Sequence, residues 1–170
     1  MERIGQSVAA SDLDAFVFAH FERLIRLAAL VGGDTSEADD VVQAALERAW
    51  RSRERLRNAE ALGAWLDRIV VREAIRAAGR RRRWWSRRRD LVAADELAAA
   101  GADQPERFAA LRTAFQTLPP DQRAVVALHL YAGYSVPETA SRLQAPVETV
   151  RSRLRLARGR LRRALEEELP

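Results

Sequence analysis

Cysteine is absent from the 170 residues, which removes disulfides and thiolate metal sites from consideration. Lysine is absent too, so all 29 basic side chains are arginine. Mutational bias in a GC-rich genome explains this better than selection for bidentate phosphate binding, because arginine also fills positions with no nucleic-acid role in view. Aromatic residues make up only 6% of the chain, so any core must be built mainly from Leu, Val and Ala. Runs of β-branched residues are scarce and strong helix formers are plentiful, which predicts an all-α fold. No apolar run approaches the length of a membrane span and no signal-peptide pattern opens the chain. The expectation is a cytoplasmic protein without membrane insertion. His20 and His129 lie far apart with no ligand spacing, and no nucleotide-binding loop, nucleophile–base pair or metal cluster is visible. Neither a cofactor nor covalent chemistry is expected.

The net charge of +5 is unevenly spread. Residues 80–89 (RRRRWWSRRR) hold seven Arg and no acid, and residues 147–165 hold seven Arg against one Glu, which leaves the rest of the chain at −8. Two basic patches on an otherwise acidic body point to two separate polyanion contacts.

Hydrophobic spacing predicts a helix over 12–31 with Phe16, Phe21, Leu24, Leu27 and Leu30/Val31 on its apolar face, ended by Gly32-Gly33. Ser36 is the expected cap of a second helix reaching about Arg55, with Val42, Leu46, Ala49 and Trp50 turned inward. A third helix is expected over 62–83. Residues 84–107 read as a flexible linker holding Trp84-Trp85, an Arg triplet and an acidic Ala-rich stretch. The architecture is therefore two small helical domains, 12–83 and 108–168, on either side of that linker. In the second, one helix is expected over 120–132, with Gly133 as its left-handed cap. Ser135 and Glu138 form an S-x-x-E capping box that opens the next helix.

The last helix carries the strongest functional signal. Val147, Val150, Leu154, Ala157 and Leu161 recur as a buried stripe, while Arg151, Arg155, Arg158 and Arg162 occupy another face. A capped helix, a tight break and an arginine-bearing helix are the sequence form of a helix-turn-helix DNA reader. Its first turn, with Glu148, Thr149, Arg151 and Ser152, is the part that reaches base edges. Upstream, Arg68, Arg72, Arg76, Arg80 and Arg83 form a ladder along one side of the third helix, suited to the backbone of an opened DNA strand.

With these residues in view, LPPDQRAVVALHLYAGYSVPETASRL…TVRSRLRLARGRLRRAL resembles region 4 of bacterial sigma factors. ADDVVQAALERAW resembles the region 2 segment that docks on RNA polymerase, and AWLDRIVVREAIRAAGRRRR resembles the adjoining −10 reader. The order and the short connector resemble the extracytoplasmic-function (ECF) group, in its short actinobacterial style. The resemblance implies a promoter-specificity subunit whose partners are core RNA polymerase (clamp and flap), promoter DNA and an anti-sigma factor. It implies polymerase docking through Asp39, Asp40, Gln43, Leu46 and Trp50. It implies −10 contacts through Asn58, Trp65, Arg68, Arg72, Arg76, Arg80 and Arg83, and −35 contacts through Glu148, Thr149, Arg151, Ser152, Arg155 and Arg158. Leu46, Trp50 and Trp65 are also candidates for plain core positions. The chain departs from the family pattern at Ala44, Leu46, Arg72, Gln144 and Leu156. The rival readings are a stand-alone dimeric helix-turn-helix regulator and a protein-binding adaptor without a DNA role.

Overall fold

The computed structural model describes residues 10–88 and 106–168. Among the described residues, seven α-helices make up two modules. The first holds α1 (Ala10–Gly32), α2 (Ala38–Ser52) and α3 (Leu62–Arg88), with two short 3-10 turns, Arg53–Arg55 and Ala59–Ala61, between the last two. The second holds α4 (Glu106–Gln116), α5 (Pro120–Val126), α6 (Val136–Leu143) and α7 (Val147–Glu168).

In the first module Leu24, Leu27, Val31, Val42, Ala45, Leu66 and Val70 form a closed core. They recur at helical spacing on three helices, so each contributes one apolar stripe. Gly33, at φ +75°, ends α1 as expected, with its N–H donating to the Ala29 carbonyl at 2.8 Å. The start of α2 differs from the sequence expectation. Ser36 does not cap it; its N–H and hydroxyl both donate to Asp34 Oδ1, at 2.9 and 2.7 Å. Asp34 sits two residues upstream and captures the serine in a local turn, leaving Glu37 at the cap position with no capping bond from its side chain to the helix. α3 runs to Arg88, five residues past the expected end. Nothing between Arg83 and Arg88 is Gly or Pro, so no residue stops the helix. The rest of the expected linker, residues 89–105, lies outside the described residues.

Leu118, Val125, Val150, Leu154 and Ala157 form the core of the second module. The helix expected over 120–132 is divided. After Val126 the backbone widens into a π turn, Ala127–Tyr131, in which the Ala132 N–H reaches back five residues to the Ala127 carbonyl at 2.9 Å. Gly133 takes φ +77°. The capping box is present, with Ser135 and Glu138 satisfying each other's backbone N–H groups. The turn between α6 and α7 places Gln144 in the left-handed region at φ +52°.

The modules pack against each other: Ala124, Ala127 and Leu128 are buried in one cluster with Leu24, Leu66 and Val70. Two polar clasps cross the seam. In the first, Arg123 donates from Nε to the Val31 carbonyl (2.9 Å), from Nη2 to Gly32 (2.9 Å), and from Nη1 to Leu118 (3.0 Å) and Gln116 (3.3 Å). One buried guanidinium thus terminates both α1 and α4, where orphan carbonyls and the negative end of the helix dipole favour a cation. Burial, and then the charge of Arg81, lower its pKa to about 10, which leaves it charged at neutral pH. In the second clasp, the fully buried Asp67 accepts from Arg23 at 2.5 and 3.1 Å and from the Tyr134 hydroxyl at 2.6 Å. Burial, and then the bond to Asp67 and its charge, raise the Tyr134 pKa, so the phenol keeps the proton it donates. The Arg142 guanidinium lies 3.4 Å from the centre of the Tyr134 ring.

Candidate nucleic-acid and polymerase interfaces

α7 divides its arginines by role. Val150, Leu154 and Ala157 hold the helix down. Arg153 bonds Asp121 at 3.0 Å and Arg160 bonds Gln122 at 2.8 Å, so these two fasten α7 to α5. Helical spacing left these two out of the expected −35 set but did not show what they bond. Arg151, Arg155 and Arg158 are exposed on the outer face. Arg151 is paired with Glu148 at 2.5 Å, whereas Arg155 and Arg158 make no ion pair among the described residues. Thr149 is half-buried and Ser152 exposed in the same first turns. The expected −35 set therefore lies on one end and one side of a single helix.

On α3, Arg68 and Arg72 are partly exposed, while Arg76, Arg80 and Arg83 are exposed. Partial burial, followed by the like charges of Arg68 and Arg76, lowers the Arg72 pKa. Such mutual repulsion is relieved by a polyanion laid along the row. Arg76 is partly engaged, since Glu73 accepts from it at 2.6 Å and from Arg48 at 2.8 Å. Asn58 is exposed at the start of the turn before α3, and its Oδ1 accepts from the Glu60 N–H at 2.9 Å. That oxygen caps the turn, so the side-chain amide NH2 is the group available for a base. Trp65 packs against the core of the first module and is partly exposed.

On α2, Asp39, Asp40 and Gln43 are exposed. Both acids stand in the first helical turn, where the positive helix terminus favours them. Leu46 is half-buried, and Trp50 is 43% exposed. Of the four residues expected to face inward, Val42 and Ala49 are buried and Trp50 is not. Instead Trp50 borders a groove of about 610 Å³ between α1 and α2, lined also by Leu13, Val17, Phe18, Phe21 and Leu46. Phe18 is 91% exposed, and Phe21, expected on the core face of α1, is exposed as well. Sequence reasoning missed Phe18. Its signal was the one aromatic on α1 that falls outside the apolar stripe.

Among the described residues no helix is long and apolar enough to cross a membrane, and no cluster of His, Cys, Asp or Glu could hold a metal ion.

Comparison with known proteins agrees with this geometry. Residues 16–85 match the family model for Sigma-70 region 2, and residues 108–161 match that for Sigma-70, region 4. The chain is 35% identical over 148 residues to the ECF RNA polymerase sigma factor SigM of Mycobacterium tuberculosis, covering 86% of this chain and 73% of that one. It is 31% identical over 169 residues to the RNA polymerase sigma-H factor of Pseudomonas aeruginosa, covering 90% and 86%. Among solved structures, the sigma factor RpoE from Bartonella quintana, in complex with the anti-sigma factor NepR, shares the fold with a TM-score of 0.74 at 24% identity, over 92% of this chain and 98% of that one. Two sigma regions in the right order, on a helical frame with an arginine-bearing helix-turn-helix, place the chain in the ECF family of RNA polymerase sigma factors.

Proposed function

We propose that residues 12–83 dock on the core polymerase clamp and hold the opened −10 strand, and that residues 108–168 sit on the flap and read −35 duplex DNA. The observation that carries this reading is the exposed row Arg151, Arg155 and Arg158 on a helix that follows a left-handed turn. Arginine in the first turns of such a helix pairs with guanine edges, and hydroxyl and arginine neighbours grip phosphate. Glu148 and its ion pair with Arg151 fix that guanidinium before DNA arrives. The α3 row from Arg68 to Arg83 tracks the separated strand, and the Asn58 amide donates to an unstacked base. Asp39, Asp40 and Gln43 beside Leu46 and Trp50 present acid and amide groups next to apolar surface, which suits a basic helical partner. The chain supplies recognition and the polymerase supplies catalysis. It works in the cytoplasm, where its template and polymerase are. The structurally similar RpoE is complexed with an anti-sigma factor, and an anti-sigma factor is the class of regulator expected here.

A double dissociation tests the assignment. Arg151→Ala with Arg155→Ala lowers run-off transcription from a matched promoter roughly 10-fold or more and leaves association with core polymerase unchanged. Asp40→Ala with Gln43→Ala weakens capture of core polymerase without unfolding the protein. If the arginine pair also lowers polymerase capture or leaves transcription unchanged, or if the Asp40 and Gln43 pair leaves capture unchanged, the separation into reading and docking faces is wrong.

A further inference from the structure

We propose that the C-terminal end of α3 is a stacking site for an unpaired DNA base, formed by Trp84 and Trp85 and flanked by Arg80, Arg83 and Arg87. Trp84 and Trp85 are 46% and 43% exposed. Their rings meet edge to face, with centroids 4.8 Å apart and planes at 88°. The rings provide no slot between parallel planes, so the exposed pair fits one stacked base rather than an intercalated one.

The charges around the pair favour a nucleic acid over an apolar protein segment. Arg80 lies four residues before Trp84 and Arg87 three after it, so cation, aromatic and cation share one helical face. The trough there, about 640 Å³, also touches Asp34 and Glu37, two groups that by themselves would repel phosphate. Arg81 covers them: its Nη1 lies 3.3 Å from Asp34 and 2.7 Å from Glu37, while its Nη2 donates to the Gly32 carbonyl at 2.7 Å. Arg80, Arg83 and Arg87 make no ion pair among the described residues, so this end of the helix stays net positive. Exposed aromatics interleaved with arginine are the composition of single-strand binding grooves, where bases stack and cations follow the backbone. The site continues the α3 arginine row beyond the residues expected to form it, and it rests on the reading that this row faces DNA.

The test uses the full chain and a fluorescein-labelled oligothymidylate, with anisotropy read over a range of salt. Trp84→Ala with Trp85→Ala weakens binding by about 5- to 100-fold, as expected for the loss of one stacked base, and keeps the salt slope. Trp84→Phe with Trp85→Phe retains most of the affinity, because a phenyl face still stacks. Arg68→Ala with Arg72→Ala weakens binding and flattens the salt slope. Unchanged binding in the alanine pair alongside a loss in the arginine pair overturns the stacking site and leaves the DNA-facing row intact. No loss in either pair, or no binding by the parent chain at low salt, overturns both. Equal losses in the phenylalanine and alanine pairs also count against stacking. All four side chains changed are at least partly exposed, and circular dichroism melts verify that each variant is folded.

Discussion

Arg123 and Arg155 have the same side chain and opposite tasks. Arg155 is exposed on α7 with no ion pair among the described residues, whereas Arg123 is buried and donates to four main-chain carbonyls. Removing the guanidinium of Arg123 strands those acceptors out of water, so Arg123→Ala is expected to destabilise the fold by about 3 kcal/mol or more. Arg123→Lys is expected to recover little of this, because an ammonium cannot span two helix ends as a planar fork does. Urea melts of the three proteins check both statements. Gly33 belongs to the same arrangement: a Cβ there would stand 2.6 Å from the Arg123 guanidinium, on a backbone already at φ +75°. The exposed arginine row was legible in the sequence because Arg151, Arg155 and Arg158 are spaced apart from the apolar stripe. Arg123 was not, because its burial comes from the meeting of two modules, and local periodicity does not encode that.

At the scale of single elements, legibility followed how local the determinants are. The start of α6 was readable because its capping box closes within four residues. The cap of α2 was misread because Asp34 and Ser36 prefer each other, a competition that residue type alone does not rank. The π turn at Ala127–Tyr131 left no mark in the sequence, yet it carries the chain round to Tyr134, whose N–H donates to the Leu128 carbonyl at 3.1 Å and whose hydroxyl reaches Asp67. Glu138 offers an acid test of the α6 cap. Bonds from the Ser135 hydroxyl and then its backbone N–H hold the Glu138 pKa below the ordinary value. A depressed carboxyl stabilises the fold above its unfolded pKa and loses that effect as pH falls through the folded value. Ser135→Ala is therefore expected to be less stable than the parent at pH 6, with the gap closing below about pH 4 as the carboxyl protonates; denaturant melts at the two pH values measure it. Gln144→Gly is expected to stabilise by about 0.5–1 kcal/mol, because the left-handed backbone at φ +52° no longer opposes a Cβ.

At the scale of the molecule, the sequence showed two modules and two arginine surfaces but not that the modules close on each other. Closure depends on Asp67 meeting Tyr134 across 67 positions and Arg123 meeting Val31 across 92, separations beyond any local pattern. Tyr134→Phe removes one bond of the Asp67 clasp and leaves Arg23 in place. Its expected effect is a larger radius of gyration in small-angle scattering, with the exposed arginines of α3 and α7 untouched. Closure also limits how far one molecule can stretch. Elements at −10 and −35 are about 25 base pairs apart, or about 85 Å of duplex, whereas a folded chain of this length has a radius of gyration of only about 15 Å. The 17 residues from 89 to 105 can bridge up to about 60 Å when pulled straight. On the proposed reading, a single molecule touches both elements only after Arg123 lets go of Val31 and Gly32, and its apparent grip on a promoter scales with the fraction of molecules already parted.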